Sequence, residues 1–434
     1  MLIQYSVKNY KSIKDEVVIN FSAVNKNVEP SRLVSGINDN YSIYRCIGLA
    51  GPNASGKTNI VNSLFFALRF INTTIKRKDS APINVEMFML DEESRKDGAS
   101  FEFIFLEDNI KYVYGFTIDR KRVLEEYLLA YYSKKATTVF ERYYESTDED
   151  ILKEKSESEA AGDENTAKSI YNFRGNDVKQ QTEISNKTNE NRLYLPVAAE
   201  WGYEKTKTPY KWFERMFRQY NELNMSEMIA ETIKDEESKS VLLEALRKAD
   251  FNIKDVYVKN RRVQKQRRDI FIQLLTQIIG EGEEPEELFP EDIPVIWITH
   301  FGSDGQTFDI EIGDDSSGTR DIINNIAELL FINKGGGLFI EDELGKNYHT
   351  KLTEYFLGLF NDSRVNKANA QLFFSTHDTK IFKLLNPDQI YLVDKDERGA
   401  TYVKLLDDYL IREKDNVELG YLKGRYGAIP DIKD

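Results

Sequence analysis

The stretch Gly51-Pro52-Asn53-Ala54-Ser55-Gly56-Lys57-Thr58 decides how this chain folds, because it matches the pattern GxxxxGK[ST] in full. Glycines in such a loop let successive backbone N–H groups point inward, toward phosphate oxygens. The lysine brings a positive charge to the β- and γ-phosphates, and the threonine hydroxyl is a ligand for Mg²⁺. Thr58 is therefore a candidate metal ligand. The candidate nucleotide-binding residues are Asn53, Ala54, Ser55, Gly56, Lys57 and Thr58.

The residues on either side of this loop predict a strand before it and a helix after it. Residues 44–50 form a short apolar run. Beyond the loop, apolar residues recur at helical spacing, at Ile60, Val61, Leu64, Leu68 and Ile71. A helix that begins at the loop adds partial positive charge to an anion site. We therefore predict an α/β fold with a phosphate-binding loop at its centre.

Away from the loop, the hydrophobic pattern changes period several times. Two short strands are predicted within residues 2–19, and an antiparallel β-meander is predicted over residues 100–144, where aromatic residues alternate with polar ones. Residues 145–165 are acidic and rich in serine, which is typical of a solvated loop. Helical spacing then predominates until strand patterns return after residue 292. We predict an N-terminal part, a helical insertion and a C-terminal part, over residues 1–205, 206–292 and 293–434.

The charge of the chain limits the partners that it is expected to bind. Acidic residues number 73 and basic residues 59, which gives a formal net charge of −14 at pH 7. Contact with DNA or RNA therefore requires a local basic surface. The one dense basic run, residues 259–268, is predicted to lie on a helix. This run has two interpretations. It is either a solvated surface paired with acidic neighbours or a surface that contacts DNA, RNA or an acidic partner.

Cysteine content and hydropathy indicate the compartment. The sequence has one cysteine, Cys46, which excludes a disulfide within the chain and is typical of a reducing compartment. No run of 18 apolar residues occurs, and the N-terminal residues lack the apolar core of a signal peptide. We therefore expect a cytoplasmic protein with no membrane segment.

Three further segments place chemically active groups at the ends of predicted elements. Residues 338–343 form a strand that ends in Asp342, which is suited to hold Mg²⁺ through water, and Glu343, which is suited to polarise an attacking water. Residues 315–319, Asp-Ser-Ser-Gly-Thr, open a helix, and small residues at a helix N-terminus form a second anion site. Downstream, another strand ends at His377. The other histidine near these motifs, His300, is expected to be a structural residue of a turn.

The order of these motifs resembles that of ABC-type ATPases of the SMC and RecF kind. The opening residues 9–12, Asn-Tyr-Lys-Ser, and the closing residues 421–430, Tyr-Leu-Lys-Gly-Arg-Tyr-Gly-Ala-Ile-Pro, extend the resemblance to bacterial abortive-infection and OLD-like AAA ATPases. That group includes the ATPase component of PARIS-type anti-phage systems. The resemblance covers nearly all of the chain and implies an ABC-ATPase-type P-loop NTPase fold, to which the β-meander and the helical insertion are added.

The resemblance also implies a role for each matching residue. Residues 51–58 bind ATP and Mg²⁺, Asp342 is the Walker B metal ligand, Glu343 is the catalytic base and His377 senses the γ-phosphate. Active sites in this family are composite, so ATP is expected to join subunits in an ATP-sandwich dimer or a higher assembly. The ATP held by one subunit is then contacted by three signature residues of another, Ser316, Ser317 and Gly318.

Two positions depart from the family pattern. Glu341 stands where an apolar residue is usual, so the end of its strand is expected to be partly exposed or paired. No Q-loop glutamine is evident, and residues 195–200 are its expected location, with Glu200 in its place. Residues 333–336, Asn-Lys-Gly-Gly, lack the aspartate of a guanine-reading motif, which favours ATP over GTP.

Two functions fit these motifs. The first is a regulatory ATPase that controls a separate effector, a nuclease or toxin, in anti-phage defence. The second is a RecF-like or SMC-like ATPase that binds DNA directly in DNA maintenance. Residues 394–396, Asp-Lys-Asp, resemble the metal-binding motif of a Toprim nuclease, but too few residues follow for that fold, and a β-hairpin turn explains them. Because the sequence offers no recognisable effector chemistry, we expect the effector to be a partner protein.

Overall fold

A computed structural model of the chain describes residues 1–24, 28–38, 40–79, 81–145, 170–175, 177–221, 225–249, 252–263, 265, 268, 291–347, 349–409, 411–412 and 415–430. Within them the strands are β1 (Leu2–Lys8), β2 (Val17–Asn20), β3 (Cys46–Ala50), β4 (Ala99–Glu107), β5 (Ile110–Ile118), β6 (Val123–Tyr131), β7 (Thr137–Glu145), β8 (Ile170–Gly175), β9 (Ile253–Arg262), β10 (Asp292–Phe301), β11 (Thr307–Glu311), β12 (Leu338–Glu341), β13 (Gln371–Thr376), β14 (Ile390–Lys395) and β15 (Thr401–Leu405).

The helices of the same residues are α1 (Lys57–Thr73), α2 (Glu92–Lys96), α3 (Val178–Ser185), α4 (Tyr194–Glu200), α5 (Glu204–Asn221), α6 (Met225–Lys234), α7 (Glu236–Lys248), α8 (Ser317–Ile332), α9 (Thr350–Asn361), α10 (Ile381–Leu384) and α11 (Val417–Leu422). The α/β fold that the sequence predicts is confirmed. None of the described helices is both long and apolar enough to span a membrane.

The sheet that carries the candidate site has the strand order β12-β13-β3-β14-β15, and its first four strands run parallel. Both of its faces are buried, because alternate residues of each strand enter different hydrophobic cores. On β13, for example, Phe373 faces one core, whereas Leu372 and Phe374 face the other. Parallel sheets are usually covered on both faces in this way. Their carboxyl ends meet at one edge, where the loop of residues 51–58 follows β3.

A larger antiparallel sheet covers one face of this parallel sheet, with helix α1 between the two. Its strand order is β2-β1-β4-β5-β6-β7-β8, so the predicted strands near the N-terminus and the predicted β-meander form one sheet. Helix α1 contributes Ile60, Leu64 and Leu68 to the core that the two sheets share. Helix α8 packs on the opposite face of the parallel sheet, in the second core. The parallel sheet is thus held between two packed layers, and the loop of residues 51–58 extends from its carboxyl edge.

A buried ion pair ties the antiparallel sheet to helix α4. The side chains of Glu126 and Arg142 are both fully buried, and the Arg142 Nη2 to Glu126 Oε2 distance is 2.7 Å. The Glu126 carboxylate also accepts hydrogen bonds from the backbone N–H groups of Tyr194 (2.6 Å) and Leu195 (2.8 Å), at the first turn of α4. Removing one member of such a pair costs about 3–5 kcal/mol, because the other charge stays buried without its partner. The pair therefore fixes where α4 begins.

Residues 206–292, predicted to be a helical insertion, are not helical throughout. Helices α5, α6 and α7 agree with the prediction, but β9 does not, and it pairs with β10 in an antiparallel sheet of order β11-β10-β9. The prediction of a helix was therefore wrong for residues 259–262 of the basic run, which are the end of β9, whereas the described residues Lys265 and Arg268 are helical. A strand forms here because Val256 is buried against the second core while β10 pairs along its edge.

The basic run makes ion pairs within the chain. Arg261 pairs with Glu311 on β11, and Arg262 pairs with Glu291 at 3.0 Å. The Lys259 ammonium lies over the rings of Tyr257 and Trp297, on the same face of the sheet. These contacts support the alternative of a solvated surface paired with acidic neighbours. The acidic segment 146–165 and residues 269–290 of the predicted helical insertion lie outside the described residues.

Candidate functional site

A cavity of about 240 Å³ opens at the carboxyl edge of the parallel sheet. The residues that line it come from the loop after β3, the start of α1 and the ends of β12, β13 and β14. They are Asn53, Ala54, Ser55, Gly56, Lys57, Thr58, Asn59, Glu343, His377 and Lys395. All the predicted nucleotide-binding residues of the loop are thus brought together with both predicted catalytic residues.

The shape of the loop depends on two glycines and on strand β15. Gly56 has a φ of +108°, which favours glycine, and a Cβ there would overlap Thr401. The Thr401 hydroxyl donates to the Ser55 carbonyl at 2.9 Å and shares a 2.7 Å hydrogen bond with the Ser12 hydroxyl. Asn59 also donates to Ser12. A Cβ on the other glycine, Gly51, would overlap the backbone of β14. Neighbouring strands therefore hold the loop in place before any ligand binds.

Lys57 is the buried cation of the cavity. Its ammonium donates to the carbonyl oxygens of Gly51 (2.9 Å) and Pro52 (2.8 Å). Burial lowers the pKa of Lys57 to about 8, although the charges of Asp342 and Glu343 act to raise it. The lysine is therefore mostly charged at pH 7, and among the described residues its ammonium donates to these two loop carbonyls. Phosphate oxygens are stronger acceptors for an ammonium than carbonyls are.

Asp342 and Glu343 follow β12 in a turn that is held by β13. The Ser375 hydroxyl donates to the Asp342 carboxylate (2.5 Å) and accepts from the Glu343 backbone N–H (2.9 Å). Glu343 has a φ of +62°, a conformation that side chains other than glycine seldom adopt outside functional sites. Its carboxylate pairs with Lys346, and this hydrogen bond is the main reason that its pKa is lowered. The candidate base is therefore ionised, but it is engaged by a lysine.

His377 enters the cavity from the end of β13. Partial burial, and secondly the charge of Lys57, lowers the pKa of His377 below its usual value of 6.5. The imidazole is therefore neutral at pH 7, with one nitrogen able to donate a hydrogen bond and the other able to accept one. A neutral donor suits contact with a phosphate oxygen here, because it places no second positive charge next to Lys57.

Glu341 is a largely buried carboxyl next to the site. Burial, together with the charges of Asp321 and Asp342, raises its pKa to about 7. Glu328 on α8 has its pKa raised to about 8, by burial and by the charge of Glu341. Glu341 is intermediate in exposure, as expected for the end of this strand, and at pH 7 it adds less negative charge beside Asp342 than a fully ionised carboxylate would.

The predicted signature begins α8, as expected, but it does not line the cavity of its own chain. Ser316 is the N-cap residue of α8, and its hydroxyl accepts from the Thr319 backbone N–H at 3.1 Å. Asp315 accepts from the Ser316 backbone N–H and lies 2.7 Å from His300 Nε2. His300 was wrongly predicted to be a turn residue, since it lies on β10 and holds the segment that precedes the signature. Ser316, Ser317 and Gly318 are therefore held at the start of α8, outside the set of residues that line the cavity.

The donors near the loop fit a magnesium ion. Mg²⁺ prefers oxygen ligands and is commonly held by one or two protein groups together with substrate phosphates. The Thr58 hydroxyl lines the cavity, and the Asp342 carboxylate is close enough to act on the charge of Lys57. Among the described residues, no cluster of three or more His, Cys, Asp and Glu side chains is placed to hold a metal by itself. The residues that would hold Mg²⁺ are thus Thr58 and Asp342.

Several residues of the site were not identified from the sequence. Lys395 was interpreted only as part of a hairpin, and that hairpin is confirmed by the antiparallel pairing of β14 with β15. Ser375 acts on Asp342 and Glu343 from a separate strand, whereas Lys346 pairs with Glu343 within the same turn. Glu200, the proposed Q-loop residue, lies at the end of α4 and does not line the cavity. The detectable signal for Ser375 was its place one residue from the end of a buried strand.

Comparisons with known proteins identify a matching family. A family model described as "AAA domain, putative AbiEii toxin, Type IV TA system" matches residues 46–382, which is most of the chain. The match begins at β3 and ends within α10, so it includes the loop, the signature and the segments that carry Asp342, Glu343 and His377. No curated protein matches the chain.

Solved structures with a similar course of the chain include two SMC heads. One is the SMC head bound to the C-winged helix domain of ScpA, with 13% identity, a TM-score of 0.40, and coverage of 93% of this chain and 96% of that chain. The other is the SMC head domain from Thermotoga maritima, with 14% identity, a TM-score of 0.34, and coverage of 93% and 98%.

Proposed function

Because the chain belongs to the AAA-domain family described as putative AbiEii toxin of type IV toxin–antitoxin systems, we propose that it hydrolyses ATP slowly and that bound ATP controls a separate effector protein. The convergence of Lys57, Glu343 and His377 on one cavity carries this proposal. These side chains supply a cation, a carboxylate base and a neutral hydrogen-bonding group, which suit the transfer of a phosphoryl group to water.

Binding is proposed to begin with an exchange of partners at Lys57. Its ammonium leaves the carbonyls of Gly51 and Pro52 for the β- and γ-phosphates, while the backbone N–H groups of the loop bind phosphate oxygens. Mg²⁺, held by Thr58 and Asp342, neutralises phosphate charge when it is bound. His377 then hydrogen-bonds the γ-phosphate from the end of β13.

Hydrolysis is proposed to require a second exchange, at Glu343. Its carboxylate is paired with Lys346 and must turn from this lysine toward the attacking water before it can accept a proton. The ion pair is largely exposed, with the Lys346 side chain 66% accessible, so breaking it costs little. Each turnover therefore needs this release of Glu343 from Lys346 in addition to the binding of ATP.

A second copy of the chain is proposed to complete the site. Ser316, Ser317 and Gly318 do not reach the cavity of their own chain, although they form an ordered helix N-terminus suited to an anion. Placed over the cavity of another copy, they would contact the γ-phosphate and close an ATP-sandwich dimer or a higher assembly. ATP would then favour the closed assembly, and hydrolysis would open it.

We extend the proposal to anti-phage defence in the cytoplasm, with a nuclease or toxin as the effector, as in PARIS-type systems. The family description, which names a toxin of a toxin–antitoxin system, supports a role beside a toxic activity. The alternative of a RecF-like ATPase that binds DNA requires free cations. Arg261 and Arg262 of the basic run are instead paired with carboxylates, which makes this alternative the weaker one.

The test is to purify the tagged chain from its own operon, as Glu343→Gln and as Lys57→Ala, with and without ATP and Mg²⁺. We expect Glu343→Gln to hold a stoichiometric second protein whose retention changes with ATP, because this variant binds ATP without hydrolysing it. Lys57→Ala is the matched control and should not respond to ATP. Native mass spectrometry measures the composition.

Two outcomes of this purification would oppose the proposal. A second protein retained equally by both variants, with or without ATP, would contradict control by the nucleotide. An ATP-dependent dimer that carries DNA and no second protein would instead support the RecF-like alternative.

A further inference from the structure

The cavity has two flanks, which the strand order of the parallel sheet defines. On one side of β3 lie β13 and β12, which bring His377 and Glu343 to the cavity. On the other side lies β14, which pairs with β3 in parallel and ends at Lys395. Lys395 therefore lines the cavity from the flank opposite the candidate catalytic residues.

Lys395 is a second cation of the cavity, and its surroundings leave its charge available to a ligand. Its neighbours Asp394 and Asp396 are acidic, but their carboxylates accept hydrogen bonds from backbone N–H groups. Asp394 accepts from Lys395 (2.9 Å) and Ala428 (3.1 Å), and Asp396 accepts from Arg398 (2.9 Å) and Ala400 (2.7 Å). In the described part of the chain, no ion pair involves the Lys395 ammonium, and the residue is exposed at the mouth of the cavity.

The direction of a bound nucleotide follows from the positions of the other charged groups. Lys57 is close enough to Asp342 and Glu343 for their charges to act on its pKa. The γ-phosphate must lie on that flank, because Glu343 has to reach the water that attacks it. A triphosphate that lies along the loop therefore leaves by the other flank, with its α-phosphate and ribose next to β14.

We propose that Lys395 binds the α-phosphate of the nucleotide, an inference that rests on the proposed function. ATP and ADP both carry this phosphate, so the contact holds both nucleotides equally. Lys395 would then contribute to affinity without distinguishing the nucleotide before hydrolysis from the one after it. That distinction would be made on the opposite flank, by Lys57, Glu343 and His377.

The test is to measure the dissociation constants of ATP and of ADP for Lys395→Gln in the Glu343→Gln background, where ATP persists. We expect both constants to rise by the same factor, about fivefold to tenfold, as for the loss of one charge-assisted contact near the surface. Arg398→Gln is the matched control, because it removes the same charge from the same hairpin outside the cavity. It should bind both nucleotides as the background protein does.

Three other results would each be decisive. Unchanged constants for Lys395→Gln would overturn the inference. Weaker ATP binding with unchanged ADP binding would also overturn it, because Lys395 would then face the γ-phosphate. A background protein that binds neither nucleotide would instead refute the proposed function on which the inference rests.

Discussion

Lys57→Ala is expected to weaken ATP binding by about 100-fold, because it removes a partly buried charge that no other group of the loop replaces. Asp342 and Glu343 act on the charge of this ammonium, and in the variant their negative charges would remain and repel the phosphates. Titration calorimetry with ATP and Mg²⁺ measures the loss. Lys96→Ala is the matched control, because that lysine is exposed and pairs only with Glu92. Binding within threefold of the wild type in both variants would contradict the assignment.

The pH dependence of ATP binding follows from the same lysine. The protonated form of Lys57 binds phosphate, and its pKa in the free protein is about 8. Affinity should therefore be constant below that value and fall as the pH rises through it, by about tenfold between pH 7 and pH 9. His377 does not titrate in this window, because its pKa lies below 6.5. Lys57→Ala should show no such fall.

Glu343→Gln is expected to slow ATP hydrolysis by about 10²- to 10⁴-fold, because an amide cannot accept the proton of the attacking water. ATP affinity should change little, since Glu343 faces the water and Lys57 holds the phosphates. Single-turnover phosphate release separates the two effects. Glu354→Gln, which removes an exposed carboxylate from α9, is the control. If Glu343→Gln turned over ATP at the wild-type rate, another group would have to be the base.

The elements around the loop could be predicted because their patterns are local. An apolar run, a glycine loop and apolar residues at helical spacing follow one another within residues 44–71, and β3 and α1 form there. The β-meander could also be predicted, since aromatic and polar residues alternate along nine-residue strands and this pattern is typical of strands. The end residues Asp342 and His377 could be predicted because the strands before them are almost entirely buried and contain apolar runs.

Strand β9 could not be predicted because its partners are distant. Val256 is buried only because β10, about forty residues later, pairs with β9 and because α7 packs on the same face. Taken alone, residues 253–262 mix apolar, acidic and basic residues without a clear period. Tertiary pairing overrides such weak local preferences.

The same limit applies to the residues of the site that the sequence did not reveal. Lys395 faces the cavity because β14 lies next to β3, and no local pattern specifies that neighbour. Ser375 acts on Asp342 through a side-chain contact that joins two strands distant in the sequence. Motifs therefore located the catalytic groups, whereas the strand order determined which other groups surround them.

The most direct test of a composite site is to mix two inactive variants, Lys57→Ala and Ser316→Arg, and to measure ATP hydrolysis. If Ser316 of one copy completes the cavity of another, a mixed dimer has one site with both residues intact. Activity should then return to about a quarter of the wild-type rate when the copies assort freely. Mixing Lys57→Ala with Glu343→Gln, whose changes fall in the same cavity, should restore nothing. If the first mixture stays as inactive as its components, the composite site and the nucleotide-gated assembly built on it are wrong.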